Sequence, residues 1–197
     1  MLYYYGSRPV ENYTHEDFVC HLAPVLPVND QVFYWQGSLQ WRDNNNIPLD
    51  LFKNICLWKS HRRYDLVSET LDNEVQKRWQ AVLGHLNQQE IQDENIQGAL
   101  QELSQLRGVG IPIASALLTA WNPRQFGIVD FRTLVVLGMR QDDARNGIFV
   151  GDYINFRNEL LQLQQGHNEL RDCAFRQIEM ALWHYYPVCK SGHRDRM

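Results

Sequence analysis

Apolar residues recur at steps of three and four along most of the chain, which is the spacing of helices that bury one face. The first well-bounded helix is predicted from Pro48 to about residue 60, with Leu51, Phe52 and Ile55 on its buried side. Before it, a helix capped by Thr14 is predicted, and residues 31–43 fit either a short hairpin or an irregular aromatic loop. Further helices are predicted at 71–86, 95–106, 111–121, 132–139, 151–164 and 167–186. The pattern predicts an all-α fold.

The composition is that of a soluble globular protein, because 44% of the 197 residues are hydrophobic and 21% are charged. The longest apolar runs, such as Ile111 to Leu118, are much shorter than the roughly 20 residues of a membrane span. The N-terminus has neither the basic region nor the apolar region of a signal peptide. We therefore expect a cytoplasmic protein that does not bind membranes.

The four cysteines, Cys20, Cys56, Cys173 and Cys189, lie far apart in the sequence. Zinc sites require pairs of ligands a few residues apart, and this chain has no such pair of cysteines. The sequence therefore predicts reduced thiols, with no metal site and no cofactor.

Charge is unevenly distributed along the chain. The formal net charge of -4 argues against a non-specific DNA coat, since phosphate binding requires local cations. One basic cluster nevertheless follows the helix from Pro48 and comprises Lys59, His61, Arg62 and Arg63. A second, at the C-terminus, comprises Lys190, Arg194 and Arg196. Each cluster fits either a nucleic-acid surface or an ordinary solvated face.

A glycine-containing turn joins two of the predicted helices. It comprises Arg107, Gly108, Val109 and Gly110, and the second helix begins at Ile111. Glycine permits positive φ and close approach of a ligand to the backbone. The unpaired amides at the start of the second helix suit an anion such as a DNA phosphate. The alternative is a tight helix–helix turn in which Gly108 acts as a C-cap.

Four short motifs follow one another from Leu106 onward: Arg-Gly-Val-Gly, Ala114-Ser-Ala-Leu-Leu, Asn122-Pro and Phe126-Gly-Ile-Val-Asp130. Together they resemble the helix-hairpin-helix DNA glycosylase superfamily over residues 94–140. The resemblance implies a two-lobed helix-hairpin-helix DNA glycosylase-like fold. One lobe would comprise about 1–47 and 107–197, and the other about 48–106. It also implies binding to double-stranded DNA with a flipped base. The four cysteines that hold an iron–sulfur cluster in some members are absent from the C-terminal region.

Two positions of that motif bear on activity. Bifunctional members carry a lysine just after the hairpin, and this chain has Pro112 there, so the resemblance implies hydrolysis without strand cleavage. Nothing in the sequence brings Lys59 or another lysine to that place. Asp130 matches the catalytic acid of the family, where a carboxylate stabilises the positive charge that develops on the sugar. An aspartate at this position also fits a helix N-cap without catalysis.

Residues that contact the DNA and the flipped base are predicted from chemistry and position. Trp58 and Trp35 are candidates for stacking on the base, although Trp58 also fits the core. The predicted backbone contacts are Lys59, Arg62, Arg63, Arg107 to Gly110, and Arg132, which alternatively pairs with Asp130. The predicted function is monofunctional DNA N-glycosylase activity on a damaged or modified base. The alternatives are a non-catalytic nucleic-acid-binding module of the same fold and a regulatory protein whose hairpin binds another protein.

Overall fold

A computed structural model describes residues 45–87, 90–140 and 147–194 of the chain. For His184 and for residues 187–194 the backbone alone is described. The predictions for residues 14–26 and 31–43, including Trp35, lie outside the described residues. None of the described helices is both long enough and apolar enough to cross a membrane.

The described residues form helices and no strands, which confirms the predicted all-α class. Eight α-helices and two short 3-10 helices, at His61–Arg63 and Asn168–Leu170, are present in these ranges. The α-helices are α1 (Leu49–Lys59), α2 (Tyr64–Ser68), α3 (Asp72–Leu86), α4 (Asp93–Ser104), α5 (Ile111–Trp121), α6 (Phe131–Val136), α7 (Val150–Gly166) and α8 (Phe175–Arg194).

Helix α5 is the centre of the core. Nine of its eleven residues are buried, and α1, α4 and α7 pack against it. A helix that is apolar on all sides must be surrounded by other elements. Gly110 precedes its first residue, and Pro112 lies in its first turn, where a backbone N–H would have no partner within the helix.

The C-terminal helices differ from the sequence prediction at one boundary. A single helix is predicted over 167–186, whereas the chain forms the 3-10 turn Asn168–Leu170 and begins α8 only at Phe175. The Gln177 side chain accepts a hydrogen bond from the Ala174 backbone N–H at 2.7 Å and so caps the start of α8. The predicted helix over 132–139 is also shorter, because α6 ends at Val136.

The segment 126–130 between α5 and α6 is non-helical and carries Asp130. Its position is fixed on the α5 side, where the Val129 backbone N–H donates to Ser115 Oγ at 3.1 Å. Helix α8 is attached to the same region, because the Arg176 backbone N–H donates to the Pro123 carbonyl at 3.1 Å. Helices α6 and α8 also pack against each other. These contacts hold Asp130 next to the first turns of α8.

Candidate active site

Asp130 is the N-cap of α6. Its Oδ1 accepts a hydrogen bond from the Arg132 backbone N–H at 3.1 Å. Thr133 completes the cap, because the Asp130 backbone N–H donates to Thr133 Oγ1 at 3.1 Å. Such caps satisfy amides that the helix itself leaves without a partner. The capping role that the sequence left as an alternative is therefore present.

The second oxygen of the same carboxylate has a different partner. Lys59 Nζ, at the end of α1, donates to Asp130 Oδ2 at 2.7 Å. The Lys59 side chain is only 10% exposed, and that of Asp130 is 28% exposed. The two carboxylate oxygens of Asp130 therefore have separate partners. Oδ1 caps α6, and Oδ2 binds the ammonium group of Lys59, which lies 71 positions earlier in the chain.

The environment keeps the Asp130 carboxyl ionised. Burial acts to raise its pKa, but the charge and hydrogen bond of Lys59 and the Arg132 N–H act more strongly in the other direction. The net result is that the pKa of Asp130 lies below its ordinary value. A carboxylate with a lowered pKa is a weak proton acceptor and a persistent negative charge, so its chemistry is electrostatic.

The Lys59–Asp130 pair lies in the wall of a cavity of about 530 Å³, within the usual range for small-molecule sites. Three parts of the chain build it: the end of α1, the region from residue 128 to the start of α6, and one face of α8. The lining residues are Trp58, Lys59, Ile128, Asp130, Arg132, Arg176, Glu179, Met180 and Trp183.

The α8 face contributes a second ion pair, which the sequence analysis missed. Arg176 and Glu179, one turn apart, are 8% and 2% exposed. Arg176 Nη1 donates to Glu179 Oε2, and the Ile128 backbone N–H donates to the same carboxylate. Burial raises the pKa of Glu179 against the lowering effects of Arg176, Lys59 and the Ile128 amide. An Arg–Glu pair at this spacing is usually a solvated one, so the sequence carried no signal of its burial.

Aromatic side chains flank the two ion pairs. Trp58 is 50% exposed, which excludes the alternative that it belongs to the buried core. Trp183, on α8, is 38% exposed, although it lies on the helix that packs against α6. The Arg132 guanidinium lies over the Trp183 ring at 4.6 Å from its centroid, so this arginine stacks on the aromatic group, while its backbone rather than its side chain binds Asp130.

The hairpin between α4 and α5 is packed against the 3-10 helix and α2. Gly108 has φ +84°, and a Cβ there would lie 2.9 Å from Leu66 Cβ and 3.3 Å from the Arg63 carbonyl oxygen. Glycine is therefore required at 108 for internal packing, whether or not a ligand binds. Val109 is 4% exposed and its side chain packs into the core.

The basic residues predicted to bind DNA are placed in two ways. Arg62 and Arg63 are exposed, and the Arg63 guanidinium lies 3.8 Å from the position that a Cβ on Gly110 would occupy. The start of α5 and the basic cluster therefore share one surface. Arg107, also exposed, forms an ion pair with Glu69 at 2.6 Å. Lys59 leaves this cluster and reaches into the cavity.

The arrangement combines features that suit a planar polar ligand. A lasting negative charge, a lysine, a buried ion pair and two partly exposed tryptophans surround one cavity. The basic surface formed by Arg62, Arg63 and the start of α5 is close in sequence to the cavity, because Lys59 in the cavity wall is three positions before Arg62. Comparisons of the chain with protein-family models, with curated proteins and with solved structures find no match.

Proposed function

We propose that this chain is a DNA N-glycosylase of the two-lobed helix-hairpin-helix type, which hydrolyses the bond between a damaged or modified base and its deoxyribose. The observation that carries the proposal is the position of Asp130. Its carboxylate is held ionised in the wall of a 530 Å³ cavity that two tryptophans flank. A helix cap without catalysis requires no cavity, no buried lysine and no aromatic groups nearby.

DNA is bound through the surface that Arg62, Arg63 and the start of α5 share. Arginine side chains and helix N-terminal amides both contact phosphate oxygens. Within the described residues, no backbone carbonyl accepts a hydrogen bond from the Gly110 or Ile111 amide, and such amides at the start of a helix are the ones that contact phosphate in other proteins. Pro112 removes one further donor from this turn. Because the whole chain has a formal net charge of -4, contact with phosphates requires a local group of cations, and this surface provides one.

The base is extruded from the duplex into the cavity, since the scissile bond is inaccessible within a base stack. Trp58 and Trp183 provide apolar faces that replace the stacking lost on extrusion. Asp130 then lies beside the sugar and stabilises the positive charge that develops at C1′ as the base departs. Water attacks C1′, the base leaves with a proton, and an abasic sugar remains.

Lys59 supports a second candidate function, in which the chain also cleaves the strand. The resemblance places no lysine after the hairpin, yet Lys59 Nζ lies 2.7 Å from Asp130 Oδ2. A deprotonated amine there attacks C1′ in place of water and forms an imine. The Lys59 ammonium group donates to the Asp130 carboxylate, however, and an ammonium group is not a nucleophile. We therefore place hydrolysis first.

The test is incubation of the full chain with duplexes that each contain one modified base, such as uracil, hypoxanthine, or an oxidised or alkylated purine. The proposal predicts an abasic product with at least one substrate, detected as strand cleavage only after alkali treatment. Salt-sensitive binding without any abasic product would favour the non-catalytic binding module. Absence of binding at low salt would contradict both nucleic-acid functions.

The two enzymatic candidates are separated by reduction with borohydride during the reaction. A covalent protein–DNA product that is lost in Lys59→Met but retained in Lys53→Met would establish strand cleavage through Lys59. Lys53 is a suitable control because it is also on α1, and its Nζ donates to the Ser68 carbonyl at 2.8 Å, away from the cavity lining. Excision without a trapped product would leave hydrolysis as the reaction.

A further inference from the structure

The buried pair Arg176–Glu179 has no part in the chemistry described above, although both side chains line the cavity. Their charged ends are almost fully removed from water, with 8% and 2% of the residues exposed. A buried ion pair contributes little net stability compared with apolar residues of the same volume. A few fixed polar groups in a largely formed pocket are, in contrast, the usual means of orienting a ligand.

Both residues are held in place by the backbone around them. Glu179 accepts from Arg176 and from the Ile128 N–H, which belongs to the segment that carries Asp130. The Arg176 backbone is bonded to the Pro123 carbonyl at 3.1 Å. The pair and Asp130 therefore keep a constant position relative to each other. A base that binds to the pair is set at a defined place with respect to the acid.

Hydrogen-bonding capacity indicates which base fits. Arg176 and the Ile128 N–H both donate to Glu179, so its carboxylate acts as an acceptor in spite of its burial. A carboxylate has about four acceptor positions, and these two donors occupy two of them. Two adjacent N–H donors on a ligand would fit the two remaining acceptor positions of the Glu179 carboxylate. Among the ordinary bases, guanine alone presents two neighbouring N–H donors, N1–H and the 2-amino group, beside a carbonyl that accepts from arginine. Cytosine and adenine place a ring-nitrogen acceptor next to their amino group, where it would face the carboxylate.

We infer that Arg176 and Glu179 are specificity-determining residues that select a guanine-type base, a 6-oxopurine with a 2-amino group, in the cavity. Glu179 accepts from N1–H and the 2-amino group, and Arg176 donates to O6. The inference rests on the proposed function only in requiring that the target base enters the cavity, and it does not require that the base is excised.

The experiment measures equilibrium binding of the full chain to duplexes with one central target base opposite a tetrahydrofuran abasic analogue. Because the target has no pairing partner, its extrusion breaks no base pair. Fluorescence anisotropy at fixed salt compares guanine with hypoxanthine, which differs only by the absent 2-amino group. We expect guanine to bind about tenfold more tightly, the usual effect of one hydrogen bond to a charged group, and Glu179→Gln to reduce that ratio to about one.

The matched control is Glu102→Gln. Glu102 is also paired with an arginine, Arg78, at 2.9 Å, but does not line the cavity. Its variant should retain the tenfold preference. If Glu179→Gln does not fold, the double variant Arg176→Met, Glu179→Met removes both buried charges together and should bind DNA with no preference.

The outcomes separate this inference from the proposed function. Equal binding of guanine and hypoxanthine by the unaltered chain would overturn the inference, even if some other base is excised. A preference that survives in the Glu179 variant and in the double variant would overturn it as well. No salt-sensitive binding to any duplex would overturn the proposed function and the inference together. Binding with the expected preference, together with no excision from any duplex of the modified-base panel, would support the inference and contradict the enzymatic proposal.

Discussion

Asp130 and Asp152 are two aspartates that each bind a backbone N–H at the start of a helix, in different surroundings. Asp130, the N-cap of α6, accepts from the Arg132 N–H at 3.1 Å, and Asp152, in the first turn of α7, accepts from the N–H of the N-cap Phe149 at 2.7 Å. Both bind a cation from elsewhere in the chain, Lys59 and Arg140 respectively. Their side chains are 28% and 30% exposed. Capping, pairing and exposure therefore do not distinguish a candidate active-site acid from a structural one.

The difference lies in what surrounds each pair. Asp130 lines the 530 Å³ cavity together with two tryptophans and a second, buried ion pair, whereas neither Asp152 nor Arg140 lines that cavity. In addition, Asp130 uses separate oxygens for its cap and its cation, while Asp152 Oδ2 serves both partners. The comparison shows that the hydrogen bonds of an aspartate do not distinguish a catalytic role from a structural one. The cavity that it lines and the charges around it are the features that differ.

The largest effect is expected on stability, where the cavity side depends on a buried pair and the Asp152 side does not. Arg176→Met leaves the Glu179 carboxylate buried without its cation, which should lower the free energy of unfolding by about 3–5 kcal/mol. Arg140→Met removes a partner from a partly exposed acid and should cost about 1 kcal/mol or less. Urea unfolding of both variants checks this, and equal losses would contradict the distinction between the two regions.

A smaller effect on stability is expected at Gly108 and Gly138, which are the glycines with positive φ in the part of the chain that the structure describes. Gly108→Ala combines an unfavourable backbone conformation with a Cβ 2.9 Å from Leu66 Cβ, and should cost about 3 kcal/mol. Gly138, with φ +68°, has no atom within 4 Å of the same position, so Gly138→Ala should cost about 1 kcal/mol. Thermal unfolding measures both. A Gly108→Ala loss no greater than that of Gly138→Ala would show that the hairpin is not packed as described.

These elements differ in how far the sequence predicted them. The helices at 49–59, 72–86 and 111–121 follow from apolar spacing and from the Gly110 and Asn122-Pro123 boundaries, which are local signals. The Asp130 cap was also predicted from local sequence. The Lys59–Asp130 pair joins positions 71 residues apart, and the burial of Glu179 depends on how α8 packs. Long-range packing leaves no periodic trace in the sequence, so neither was predictable.

The pH dependence of excision should change when the cation beside Asp130 is removed and stay the same when the cation beside Asp152 is removed. Lys59 holds the pKa of Asp130 down against the raising effect of burial. In Lys59→Met burial is opposed only by the backbone bond and the charge of Arg132, so the pKa of Asp130 rises and the ionised form is lost at a higher pH. Excision should therefore fall earlier on acidification than in the unaltered chain. Arg140→Met should leave the profile unchanged. A Lys59→Met profile that coincides with the unaltered one would contradict this assignment.

Lys59→Met should also reduce the contribution that ionised Asp130 makes to stability. A carboxyl group with a lowered pKa stabilises the folded state above its unfolded pKa of about 3.9, and that stabilisation is lost as the pH falls through the folded value. Asp130 should therefore contribute to acid unfolding below about pH 4 in the unaltered chain. In Lys59→Met, where the pKa of Asp130 is no longer held down, this contribution should diminish. Melting temperatures measured between pH 3 and pH 6 test the sign.

The smallest effect concerns the basic surface beside the cavity. If Arg63 contacts a phosphate, Arg63→Gln should weaken duplex binding uniformly and reduce the slope of log K against log salt by about 1. Arg171 is also exposed but lies on the turn before α8, so Arg171→Gln should leave the slope unchanged. Identical slopes for both variants would place the DNA surface elsewhere on the molecule.

The central claim is that Asp130 acts on a bound base and is more than a helix cap. It is tested most directly by single-turnover excision with Asp130→Asn and Asp152→Asn on the substrate that the unaltered chain cleaves. Asparagine retains capping ability but carries no charge. We predict that Asp130→Asn binds the duplex normally and loses about 10²–10³-fold in excision rate, while Asp152→Asn remains within about twofold, well inside 1.4 kcal/mol. Equal rates for the two folded variants would contradict the account and leave Asp130 as a cap.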